Sequence, residues 1–137
     1  MPTESTRILV ADDHLPTLEG LVRLLTIQPD FEVVGKAHHG REVIELARAL
    51  RPSVIIMDLL MPELDGVQAT EAIMSELPDT KVLVLTDETE ADRIEAALSS
   101  GALAYVAKQA SLRELPRIIR SLKKGRPTIR LSRNLSF

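Results

Sequence analysis

Residues 54 to 66 read VIIMDLLMPELDG. Four apolar residues, three of them β-branched, run into a single carboxylate at Asp58, and the chain then turns through Met61-Pro62 and Asp65-Gly66. A short apolar run of this kind, bounded by turn residues, reads as a strand covered on both faces. Such a strand has no reason to end in an aspartate unless its end leaves the core for a place where charge is wanted.

Four other segments have the same character: RILVA (7–11), FEVVGKA (31–37), KVLVLT (81–86) and LAYVA (103–107). Between them the apolar residues change to helical spacing, as in Leu18, Leu21, Val22 and Leu25, then Val43, Ile44, Ala47 and Leu50, then Ala69, Ala72, Ile73 and Leu77. Residues 90–100 and 111–124 supply a fourth and a fifth helix, the last with Ser111 and Glu114 as a capping box. Pro16 suits a first helical turn, Gly40 opens the second helix, and Pro52 and Pro78 separate a helix from the next strand. Met57 belongs to the core. Five βα units in succession predict an α/β fold with a parallel sheet and helices on both faces. The pattern dissolves after Gly125, and TIRLSRNLSF reads as an ordered scrap or a frayed tail.

Composition narrows the function. At 137 residues there is room for one domain with a real core. Only Phe31, Tyr105 and Phe137 are aromatic, which excludes a base-stacking platform. The absence of cysteine removes disulfides, thiolate metal sites and Cys nucleophiles. No apolar run approaches the roughly 20 residues of a membrane span, and MPTESTR lacks the features of a signal peptide, so a cytoplasmic protein is expected. All 20 acidic residues lie at or before Glu114, whereas seven of the 17 basic ones follow it. That basic end is read as a solvated helix face and linker in preference to a nucleic-acid surface.

In a parallel sheet the ligand crevice lies beyond the carboxyl ends of the strands, where strand order reverses. At those ends stand Asp12-Asp13, Asp58, Thr86 and Lys108. Clustered carboxylates raise one another's pKa values, and a divalent cation relieves the repulsion; oxygen-only ligands favour Mg²⁺ or Mn²⁺. Lys108 then suits a phosphoryl group, Thr86 a hydrogen bond to it, and an aspartate can itself be the nucleophile that forms an acyl phosphate.

Taken together, ILVADDH, IIMDLLMPELDG, VLVLTDE and GALAYVAKQA resemble, in order and spacing, the receiver domains of two-component response regulators over roughly residues 7 to 124. The resemblance implies a flavodoxin-like, doubly wound (βα)₅ fold with a five-stranded sheet of order 2-1-3-4-5. It implies Asp58 as phosphoacceptor, and Mg²⁺ held by Asp13 directly, by Asp12 largely through water, by Asp58 and by the Leu60 carbonyl. Lys108 would pair with the phosphoryl oxygens, and Thr86 would reorient toward them. Tyr105 matches the family's switch aromatic, although plain strand packing explains it equally well. The implied chemistry is Mg²⁺-assisted transfer from a phosphohistidine of a sensor histidine kinase or phosphotransfer protein, followed by slow hydrolysis. A changed face of helix four, strand five and helix five would then serve partner docking or a homodimer, with no turnover enzyme activity and no membrane partner.

Other residues have plainer readings. Met61, Pro62 and Gly66 shape the loop after Asp58, and Gly66 also reads as no more than a turn residue; Asp65 is a turn or cap. His38 and His39 point to opposite faces of an extended segment and cannot chelate jointly. Lys108 is followed by Gln109, where many receivers have proline; receivers that precede LuxR-type DNA-binding domains often lack it, and SLRELPRIIRSLKKG is similar to their last helix. Asp87, after Thr86, is unusual for the family and is expected to repel an incoming phosphodonor or to speed loss of the phosphoryl group. Residues 1–125 are assigned to the receiver and 126–137 to a basic tail or the start of an interdomain linker. A piece of a longer transcriptional regulator, contacting DNA only through an effector domain outside this chain, is favoured over a stand-alone receiver. A haloacid-dehalogenase-like phosphatase or phosphotransferase needs a second aspartate two residues after the nucleophile, where Leu60 stands. Neither glycine-rich nucleotide motif follows the first strand.

Overall fold

A computed structural model describes residues 5–87, 91–108, 112–124 and 129–131. Strands β1 (Thr6–Ala11), β2 (Phe31–Ala37), β3 (Val54–Met57), β4 (Lys81–Thr86) and β5 (Ala104–Ala107) alternate with helices α1 (Leu15–Thr26), α2 (Gly40–Leu50), α3 (Gly66–Glu76), α4 (Ala91–Ser99) and α5 (Leu115–Lys123). The sheet is parallel, in the order β2-β1-β3-β4-β5, as expected for the flavodoxin-like fold.

The apolar strands divide their side chains between two cores. Ile8, Val10, Val54, Ile56, Leu83 and Leu85 meet Leu18, Leu21 and Leu25 of α1 and Ile118, Ile119 and Leu122 of α5. The alternate residues Leu9, Ile55, Met57, Val82 and Val84 meet Val43, Ala47, Ala69, Ile73 and Ala97 of α2, α3 and α4. Strand side chains alternate between faces, so a strand sandwiched by helices must be apolar at every position.

The sequence reading differs from the structure in two places. Helix α5 starts at Leu115, after a single 3₁₀ turn over Leu112–Glu114, instead of at 111. Pro116 sits in its first turn, where a missing N–H costs nothing; the expected cap residue Ser111 lies outside the described residues. A sixth strand, β6 (Ile129–Leu131), extends the expected five-stranded sheet by pairing parallel with Ala104–Val106 of β5. Without it the backbone groups on that side of β5 would form a sheet edge.

The basic end is partly consumed by folding. Arg120 makes a two-pronged ion pair with Asp30 at 2.8 and 2.9 Å, donates to Gln28, and lies 4.9 Å from the centre of the Phe31 ring. It ties α5 to the entrance of β2. Arg117 pairs with Glu114, while Lys123 and Lys124 are exposed. Among the described residues no helix is long and apolar enough to cross a membrane.

Candidate functional site

The reversal of strand order falls between β1 and β3, and the residues after these two strands meet there. The Asp58 N–H donates to the Ala11 carbonyl at 3.0 Å, which fixes the end of β3 beside the end of β1. Asp12 is 1% and Asp58 4% exposed, whereas Asp13 faces solvent. One oxygen from each of Asp12, Asp13 and Asp58 can lie within 4.8 Å of the others. Among the described residues no other cluster of three or more acidic or histidine side chains has that geometry.

Lys108 reaches in from the end of β5, where its N–H donates to the Thr86 carbonyl at 2.9 Å. Its ammonium is shared, 2.8 Å from Asp12 Oδ2 and 3.2 Å from Asp58 Oδ2. Burial pushes the Asp58 carboxyl up to about 6; the Lys108 charge pulls it down, Asp12 pushes it up, and the Leu60 N–H, 3.2 Å from Oδ1, pulls it down. Burial lowers the Lys108 pKa, but its hydrogen bond to Asp12 and the charges of both aspartates outweigh that, so it stays above its ordinary value. At neutral pH the pair is ionised.

The loop after Asp58 is shaped by backbone proximity. A Cβ at Gly66 would lie 2.4 Å from the Asp58 carbonyl oxygen and 2.7 Å from the Leu59 Cα, so only glycine lets α3 start this close. Asp65 caps α3 by accepting from the Gln68 N–H at 2.9 Å, and Gln68 returns the bond to the Asp65 N–H. The turn and cap readings therefore hold for Asp65, and Gly66 is more than a turn residue.

Thr86 is fully buried at the end of β4. Tyr105, paired in register with Val84, points to the same sheet face as Thr86 and packs, partly buried, against the core beneath α3 and α4. His39 accepts the Glu42 N–H as the cap of α2, and the His38 ring lies 3.1 Å from the Glu42 carboxylate.

An open cavity of about 550 Å³ lies over the cluster, lined by Asp13, His14, Thr17, Asp58, Leu60, Asp87, Lys108 and Leu112. Sequence reasoning passed over His14, Thr17 and Leu112. The first two had a usable signal, since they follow the acidic pair at the entrance to α1. His14 donates its N–H to Asp12 at 2.8 Å and its ring nitrogen lies 2.6 Å from the Thr17 hydroxyl. Leu112 had none, because its place depends on the 3₁₀ turn.

A buried carboxylate and a shared ammonium at a strand-order reversal are the pattern of the receiver family, and sequence comparison agrees: residues 8–120 match the response regulator receiver domain. The chain belongs to that family. This receiver is 42% identical over 123 residues, 90% of its length, to the transcriptional regulatory protein LiaR of Bacillus subtilis. Among solved structures it superposes on the signal receiver domain of NarL from Mycobacterium tuberculosis with a TM-score of 0.85 at 35% identity, covering 90% of this chain and 100% of that one. A LuxR-family response regulator from Aurantimonas gives a TM-score of 0.88 at 30% identity, covering 96% and 93%. The receiver spans 58% of the length of LiaR, so the likeness concerns part of that relative.

Proposed function

We propose that this receiver is a phosphorylation-controlled switch whose phosphoacceptor is Asp58. The observation that carries the reading is the Lys108 ammonium between two buried aspartates at the strand-order reversal. An Asp58 oxygen attacks the phosphorus of a phosphohistidine on a sensor kinase or phosphotransfer protein. The new O–P bond forms as the P–N bond breaks, and the imidazole leaves. Lys108 exchanges its contact with Asp58 for the phosphoryl oxygens, and the Thr86 hydroxyl reorients to bond them.

The donor set of Asp12, Asp13 and Asp58 is all oxygen and carries more negative charge than one ammonium offsets, which fits Mg²⁺ or Mn²⁺. Asp13, exposed and free to turn, would be the direct ligand; Asp12, held by Lys108 and the His14 N–H, would act through water, and the Leu60 carbonyl would complete the set. Such a cation supplies charge neutralisation for the transferring phosphoryl group. Hydrolysis of the acyl phosphate resets the switch, so the chain acts once per phosphorylation and does not turn over an external substrate. Leu60 in place of a second acid supports that reading.

Thr86 and Tyr105 share a sheet face below α4, which supports a route from Asp58 to the surface formed by α4, β5 and α5. Residues 1–125 hold the five βα units of the receiver, with Ile129–Leu131 adding a strand to its sheet before any linker; by its likeness to LiaR, the output is transcriptional, through an effector domain. Signalling of this kind belongs to the cytoplasm.

Tyr105 is the one tyrosine and there is no tryptophan, so intrinsic fluorescence reports on the switch. Mg²⁺ with beryllofluoride, a phosphoryl mimic, is expected to change Tyr105 emission in the wild type and not in Asp58→Ala, with a matching change of mass in solution if the altered face dimerises. Emission unchanged by the mimic would remove Tyr105 from the switch, and unchanged mass would remove the dimer.

A further inference from the structure

Asp87 stands directly after Thr86, is exposed, and lines the same cavity as Asp58 and Lys108. It is not one of the three carboxylates that converge on the cation site. Among the described residues Lys108 is the only lysine or arginine lining the cavity, and it is already held by Asp12 and Asp58. Arg93, the next cation along the chain, is engaged by Asp65 at 3.2 Å. The intervening residues Glu88 and Glu90 add only more negative charge to the sequence. Among the described residues Asp87 thus has no ion-pair partner, and its charge is left to the cavity mouth.

Any donor must carry its own negative charge past this carboxylate to reach Asp58. A charge at the rim of a low-dielectric cleft acts on approaching ions more strongly than one on an open surface. We propose that Asp87 is a specificity-determining residue that selects phosphodonors by charge: it disfavours doubly charged phosphodonors relative to donors that bring less charge. The inference rests on Asp58 being the acceptor. Asp87 forms no bond and moves no proton; the O–P bond still forms on Asp58 as the donor's own P–O or P–N bond breaks.

The test compares rates of Asp58 phosphorylation, at saturating Mg²⁺, by acetyl phosphate, doubly charged near neutral pH, and by phosphoramidate, singly charged there. Wild type, Asp87→Asn and Asp87→Glu are followed by intact mass. Each unit of donor charge meets the same potential, so neutralising Asp87 should raise the phosphoramidate rate by about 3-fold and the acetyl phosphate rate by roughly the square of that. Asp87→Glu should keep the wild-type ratio, which a merely structural role would not require. Rising salt should close the gap between wild type and Asp87→Asn. In the wild type alone it should speed the doubly charged donor more, a readout that survives if a variant fails to fold. Equal acceleration of both donors, or none, or a ratio indifferent to salt, would overturn the charge filter while leaving Asp58 as acceptor. No adduct from either donor in any form would overturn the acceptor reading itself.

Discussion

At the scale of single residues, Asp58 holds a charge against its surroundings. Burial lifts its pKa to about 6 from an ordinary 3.8, so the native state keeps this proton to a higher pH than the unfolded chain does. Stability from this group is therefore fully present below about 4 and is lost as pH rises through about 6, amounting to roughly 3 kcal/mol. Without divalent cation, Asp58→Asn is expected to be more stable than wild type at pH 7.5, with the difference shrinking toward pH 4 in urea unfolding. A difference that grows on acidification would show that Lys108, not burial, dominates. Mg²⁺ should raise the wild-type midpoint and leave Asp58→Asn much less affected, because a cation that binds only the native state stabilises it by mass action. These residues were legible in the sequence because each stands where an apolar strand stops. Their sharing of one ammonium was not, since it depends on a long side chain crossing from β5 to two other strands.

At the scale of elements, the start of α3 decides how the loop after Asp58 sits. Gly66→Ala would drive a Cβ into two backbone neighbours, neither of which can move as a side-chain tip can. A loss of about 1–3 kcal/mol or more is expected from urea titration. Asp65→Ala removes a cap and should cost about 1 kcal/mol; a Gly66→Ala effect no larger than this would contradict the close approach. Strands and helices were readable because their two periods are so different, and β3 and β4 fall where the apolar runs fall. The start of α5 was placed too early because the 3₁₀ turn Leu112–Glu114 continues the helical pattern, while Pro116 already suits a first turn. Strand β6 was missed for another reason: three residues carry little periodic signal, and their strand character comes from the backbone of β5.

At the scale of the molecule, one sheet separates two cores and carries its polar residues to one edge. A second cavity, of about 410 Å³, opens near Ser53, Lys81 and Lys123, and there Glu76 is consumed by a two-pronged pair with Arg48. The carboxyl edge alone brings together a nucleophile, a shared ammonium and a cation cluster among the described residues. Family and fold could be read from four motifs in order; the output could not, because it depends on surfaces that leave no mark on a receiver's strands. The edge is proposed above to receive a phosphoryl group on Asp58. Intact-mass spectrometry after incubation with phosphoramidate and Mg²⁺ tests it most directly. A single added phosphoryl group is expected, released by hydroxylamine and absent from Asp58→Asn or when EDTA replaces Mg²⁺. An adduct that persists in Asp58→Asn, or none in a wild type shown to bind Mg²⁺, would contradict the account.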